Sequence, residues 1–269
     1  MPRKFSVVAL SFIILFLSAP GKASAESIDP VIKRMVAKYK KINAKVKDMS
    51  FEQEMEMTDP GGKSITQKIK FYKKGKKYRM DMVMKMPSNP NLPPGMGEIK
   101  TIIIFDGKNK WAISSMTGKQ NMGPPAKGDD SNWWDSMRME DMGDVKAKLI
   151  GSGKVAGRDC YIVESNDDGD VSKLWLTKDS LTQMKVEAAT KQGAVQMLYS
   201  DHKKVGDLFE WPYTTTIMQN GKKMSTIKVK WMKINTGLSS ALFDANAVKA
   251  PAGMNMQEMM EKMMNKRRR

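Results

Sequence analysis

Along residues 51–86 apolar and polar positions alternate with a period of two, over three successive runs. Tyr78, Met80, Met82, Met84 and Met86 are separated by Arg79, Asp81, Val83 and Lys85. Ile65, Gln67, Ile69 and Phe71 alternate with Thr66, Lys68, Lys70 and Tyr72, and Phe51, Gln53, Met55 and Met57 with Glu52, Glu54 and Glu56. Neighbouring side chains on a strand point to opposite faces, so each run predicts a strand with one greasy and one largely charged face. Asp59-Pro-Gly-Gly62 and Lys74-Gly-Lys-Lys77 supply the turns. Three antiparallel strands with a shared apolar concave face follow. Unbranched Met on that face, where Val or Ile is the ordinary choice, makes a wall that can reshape around what touches it.

The same punctuation recurs downstream. Ile99 to Phe105 and Trp111 to Met116 flank an Asp106-Gly107-Lys108 turn. Ile102-Ile103-Ile104 breaks the alternation, which suits a strand buried on both faces. Further strands are expected at 148–152, 159–164, 172–177, 183–189, 195–201, 213–219 and 224–234, with Gly-containing turns between them. About eleven such strands make an antiparallel barrel or sandwich. The Pro- and Gly-rich segment 87–97 reads as a loop at its mouth, and Ser131 to Met142, with Trp133 and Trp134, as a short helix lying over apolar surface.

Only one segment near the start has the helical period. After Asp29-Pro30, an N-cap and first-turn pair, the residues Ile28, Ile32, Met35, Tyr39, Ile42 and Val46 recur at spacings of three and four. Lys33, Lys38, Lys41 and Lys45 fall on the other side. That basic side is either a solvated face or a docking face for anionic lipid or an acidic partner, at about 1 kcal/mol per well-placed cation.

The termini differ from this body. Arg3 and Lys4 precede an apolar run from Phe5 to Leu17, and Ala23-Ser-Ala25 is a small-residue cleavage site, so residues 1–25 read as a secretory signal peptide. Residues 26–249 form the expected folded domain. Residues 250–269 are a Met-rich tail in which Met256, Met259, Met260, Met263 and Met264 sit at helical spacing before Arg267-Arg-Arg269. The expected destination is the bacterial periplasm. The formal charge of +17 falls by three once Arg3, Lys4 and Lys22 are removed. It still favours anionic partners, a membrane surface rather than nucleic acid given the export signal. One cysteine, Cys160, permits no disulfide within the chain.

Catalytic chemistry has little to draw on. His202 is the single histidine, Cys160 lies in an apolar strand, and no phosphate loop, Gly-x-Ser-x-Gly or zinc-binding pattern occurs. The reading is therefore of a protein that is not an enzyme and carries no cofactor. The 26 methionines admit one other chemistry, Cu(I) held by thioethers at Met80, Met82 and Met84 or on the tail. Methionine at strand or helix period is more often apolar lining.

Several segments together resemble the LolA-like outer-membrane lipoprotein-sorting proteins. They are Phe105-Asp-Gly-Lys-Asn-Lys-Trp111, Gly157-Arg-Asp-Cys-Tyr-Ile-Val163, Lys173-Leu-Trp-Leu-Thr-Lys178, Tyr199-Ser-Asp-His-Lys-Lys-Val-Gly206, Trp211-Pro-Tyr-Thr214 and Ile234-Asn-Thr-Gly-Leu-Ser-Ser-Ala-Leu-Phe243. The resemblance implies a mainly β fold, an unclosed antiparallel β-barrel with helices over an apolar cavity. It implies a monomeric carrier that shields the acyl chains of a lipoprotein or lipid between membranes. A sensor that binds the same cargo and signals to a protein partner uses the same cavity. Phe51, Met55, Met57, Ile69, Phe71, Met80, Met82 and Met84 are the expected lining, and Trp133 and Trp134 the expected lid.

Overall fold

The computed structural model describes residues 30–58, 62, 64–86, 97–125, 147–167, 170–190 and 193–249. The signal-peptide segment, the loop at 87–96, the tryptophan pair and the Met-rich tail lie outside them. Thirteen strands form one antiparallel sheet. The first meander comprises β1 (Asp48–Thr58), β2 (Ser64–Lys74), β3 (Lys77–Lys85), β4 (Glu98–Phe105), β5 (Lys110–Ser114) and β6 (Gly118–Asn121). The second comprises β7 (Ala147–Val155), β8 (Arg158–Asp167), β9 (Asp170–Thr177), β10 (Gln183–Thr190), β11 (Gly193–Val205), β12 (Phe209–Gln219) and β13 (Lys222–Ile234). Pairing of β1 with β13 welds the two meanders, leaving β6 and β7 as the outer strands of a sheet that does not close into a barrel.

Several strands run past their expected ends, and β12 and β6 differ from the sequence expectation for identifiable reasons. β12 begins at Phe209, four residues before the expected start, and runs through Pro212. A proline cannot donate to a ladder, but here it faces His202, next to Asp201, whose φ of 52° takes that residue out of the pairing. β6 is too short and polar for a periodic signal, and exists through its pairing with β5.

The helix α1 (Pro30–Lys45) follows the expected stripe. Val31, Ile32 and Met35 are buried against Val163, Leu174, Leu176 and Leu181 of the second meander. No helix among the described residues is long and apolar enough to cross a membrane.

Strand β4 is covered on both sides. Ile103 joins the inner cluster with Phe71 and Met80. Ile104, fully buried, packs on the outer side with Ile113, Phe243 and Ala245. The cover is the C-terminal segment 235–248, which makes two 3₁₀ turns, Ser240–Phe243 and Ala245–Ala247. Its anchor is Asp48, whose carboxylate accepts from Thr236 N (2.8 Å), Thr236 Oγ1 (3.2 Å), Gly237 N (2.9 Å) and Leu238 N (3.4 Å). Burial alone raises a carboxyl group's pKa, but these hydrogen bonds to the charged form prevail and hold Asp48 below the ordinary carboxylate value. Asn235, at φ 56°, completes the joint: its amide donates to Lys45 O and accepts from Lys47 N, tying the end of α1 to the end of β13.

Candidate functional site: a methionine-rich concave wall

Strand register places the predicted lining residues on one face in cross-strand rows. The deepest row runs Met232, Phe51, Phe71, Met80, Ile103 across β13, β1, β2, β3 and β4. The next runs Val229, Gln53, Ile69, Met82, Thr101, and the one above it Ile227, Met55, Gln67, Met84, Ile99. Ser225, Met57 and Ile65 form the last. β11 and β12 continue the wall through Tyr199, Thr215, Met197 and Ile217.

The deepest row and, beside it, Met49, Tyr78 and Phe105 make a packed floor. Phe51 and Phe71 stack with ring centroids 5.2 Å apart, Phe71 and Tyr78 at 6.4 Å, and Tyr78 and Phe105 at 5.7 Å. All of Phe51, Phe71, Tyr78 and Met80 are buried. Accessibility rises up the wall: Met82, Met84, Ile99, Met57 and Ile65 are half-buried. Met55 and Ile69 are buried at intermediate height. A hydrocarbon chain could lie along the upper rows but not within the floor, which its own side chains fill.

The opposite face is unsuited to apolar cargo. Glu52 and Glu54 of β1 meet Lys70 and Lys68 of β2 at 3.6 and 3.5 Å, and Glu54 meets Lys230 at 3.9 Å. Farther along, Arg79 forks onto Asp81 (2.7 and 3.1 Å) and reaches Leu242 O (3.3 Å) beneath the C-terminal cover. The charged residues that alternate with the methionines thus pair with one another outside. A groove of about 460 Å³ also lies on this outer side, near Val171, Lys173, Glu187, Gln196 and Met218. Its carboxylate is already engaged by Lys185 and by Gln196 Nε2 at 2.9 Å.

The basic helix face divides. Lys33, Lys41 and Lys45 are exposed. Lys38 is not available as a docking cation: its ammonium donates to Ser180 O (2.7 Å) and Leu181 O (3.4 Å). Burial lowers its pKa, against the pull of Glu210 and Asp179. The ammonium clamps α1 onto the β9–β10 turn, where buried Leu181 adopts φ 53°, a costly conformation for a branched side chain. Tyr39, one residue on, is driven up to about 12 by burial in the helix–sheet interior.

Cys160 is wholly buried beside Trp175 and Met184, and burial raises its thiol pKa. His202 makes a 3.0 Å contact with Gln183 O. Among the described residues no three His, Cys, Asp or Glu side chains gather as metal ligands.

Two wall residues escape a reading that looks only for apolar lining. Gln53 and Gln67 occupy inward positions and are 8% and 5% exposed. Strand parity was the signal for both, since each holds an apolar slot in its alternating run.

The fold and this wall define a class: an open antiparallel β-sheet curved around an apolar face, with one helix packed into the curve. Within it, the chain belongs to the family described as a domain of unknown function (DUF4412), which matches residues 51–237. No curated protein matches the sequence. Solved structures that share the fold include two of similar size. A DUF1329 family protein from Desulfovibrio piger superposes with a TM-score of 0.53 at 17% identity, covering 82% of this chain and 100% of that one. A putative outer membrane lipoprotein-sorting protein domain from Vibrio parahaemolyticus superposes with a TM-score of 0.51 at 15% identity, covering 80% and 98%. The LolA-like resemblance is therefore carried by the fold.

Proposed function

We propose that this protein is a carrier that shields acyl chains of a lipoprotein or a lipid on the concave Met-rich wall, within the periplasm and toward the outer membrane. The observation that supports it is the continuity of that wall: apolar rows run across β1–β4 and β11–β13, grading from a packed aromatic floor to half-buried methionines. Burying a methylene contributes about 0.8 kcal/mol, so a dozen carbons contribute roughly 10 kcal/mol before ordering costs. That suffices to keep a chain out of water. A carrier must also release it, and thioether side chains, with three rotatable bonds each, lose contact gradually as a chain withdraws. The fold shared with a lipoprotein-sorting domain agrees with the reading. Trp133 and Trp134 serve in it as cover, and Lys33, Lys41 and Lys45 as the face toward anionic membrane.

Native mass spectrometry of the protein purified from its own envelope tests the proposal. The expected result is a bound acylated molecule, recovered as free mass after gentle activation. Repeated recovery of ligand-free protein that also fails to bind a pyrene-labelled hydrocarbon chain overturns it.

A further inference from the structure

The wall contains one polar atom that the fold leaves unsatisfied. Gln67, 5% exposed, lies in the row between Met55 and Met84. Its Nε2 donates only weakly, to Met82 Sδ at 3.9 Å, and its Oε1 is buried with no hydrogen-bond partner among the described residues. A buried carbonyl without a donor is destabilising, and a Leu or Met there would fill the same slot without that penalty. Of the neighbouring inward positions, Met55, Ile69, Met82 and Met84 are apolar, and Gln53, diagonally across β1, is polar. The amide therefore sits where hydrocarbon would bind, presenting an acceptor.

Resting on the carrier reading, we infer that Gln67 is a recognition residue, and that the ligand is an acyl chain bearing a hydrogen-bond donor near its head: an amide N–H or a hydroxyl. Gln67 Oε1 accepts that donor while the hydrocarbon lies on the methionines beside it. The chemistry also discriminates. An ester offers only acceptors, as does an ionised fatty-acid carboxylate, so neither satisfies Oε1. A ligand lacking the donor leaves both partners desolvated and unpaired, and a polar site rejects such analogues more strongly than an apolar site rejects a changed chain length.

The test is displacement of a pyrene-labelled hydrocarbon chain from the full mature protein by three competitors of equal chain length. They are N-methylhexadecanamide, methyl 3-hydroxyhexadecanoate and methyl hexadecanoate. The wild-type protein is expected to prefer at least one donor-bearing competitor over the plain ester by about fivefold or more, and the preferred one identifies the donor's source. Gln67→Leu and Gln67→Met, each read against its own affinity for the pyrene chain, should lose the preference and unfold at a higher temperature because the orphaned acceptor is gone. Equal displacement by all three competitors in the wild type means that Oε1 is satisfied by a structural water only, and overturns the inference while the carrier reading stands. A preference that persists in both variants overturns it equally. Failure of the wild type to bind the pyrene chain removes the carrier reading, and this inference with it.

Discussion

Met82 and Val83 are adjacent in β3 and face opposite ways, so a pair of substitutions there tests which side of the sheet carries cargo. Met82 stands between Ile69 and Thr101 on the concave wall and packs on the aromatic floor. Val83 stands between Lys68 and Lys100 outside. In Met82→Arg the guanidinium must either desolvate or snorkel up over Met84 to the rim. Either course covers the surface that four or five methylenes would occupy. At about 0.8 kcal/mol each, the loss is roughly 3–4 kcal/mol, or two to three orders of magnitude in affinity. A second arginine at 83 would meet two lysines across the strands and confuse binding with stability. Val83→Glu avoids this by giving both lysines a partner, and should be neutral or stabilising by a few tenths of a kcal/mol. Fluorescence titration with a pyrene-labelled hydrocarbon chain reads the affinity, and thermal unfolding confirms that both variants fold. Comparable affinity in Met82→Arg and wild type, or a loss in Val83→Glu as large as in Met82→Arg, would refute the assignment of the inner face.

Three further outcomes follow from the same geometry. Lys38→Met keeps the apolar stem but removes the donor to Ser180 O and Leu181 O. Urea denaturation should show a loss of about 1–2 kcal/mol, with earlier proteolysis at the β9–β10 turn. Asp48→Asn should cost about 1.5–3 kcal/mol and loosen the C-terminal cover. The folded-state pKa of Asp48 is depressed, so its contribution is complete above the unfolded carboxylate value near ~3.9 and disappears as pH falls through the lower folded value. Acid unfolding of Asp48→Asn below about pH 4 should accordingly be shallower than that of wild type. Sedimentation with vesicles should show binding to anionic but not neutral lipid, weakening steeply from 50 to about 300 mM salt. Replacing Lys33, Lys41 and Lys45 by Gln should abolish it, whereas equal binding to both vesicle types reduces that face to plain solvation.

The sequence by itself determined whatever depends on local periodicity. Period two in residues 51–85 assigned Phe51, Met55, Ile69, Phe71, Met80 and Met82 to one face, and the pairing of β1, β2 and β3 puts them there. The spacing of Ile32, Met35 and Ile42 likewise marked the buried stripe of α1. Only the tertiary structure decided contacts between residues far apart in the chain. Periodicity assigns Arg79 and Asp81 to the outer side but says nothing of Ile104, and that Arg79 and Ile104 lie under residues 238–248 depends on Asp48 holding a turn 188 positions away. Lys38 looks like its neighbours Lys40 and Lys41 in sequence, and only the β9–β10 turn distinguishes it by offering two carbonyls at its ammonium. The joining of β1 to β13 is of the same kind, since neither strand's alternation names its partner. Gln67 belongs to both levels. Its inward position is legible from parity, whereas the absence of any partner for its oxygen is a property of the packed wall, where the residues directly across from it, Met55 and Met84, and next along its strand face, Ile65 and Ile69, are hydrocarbon or thioether.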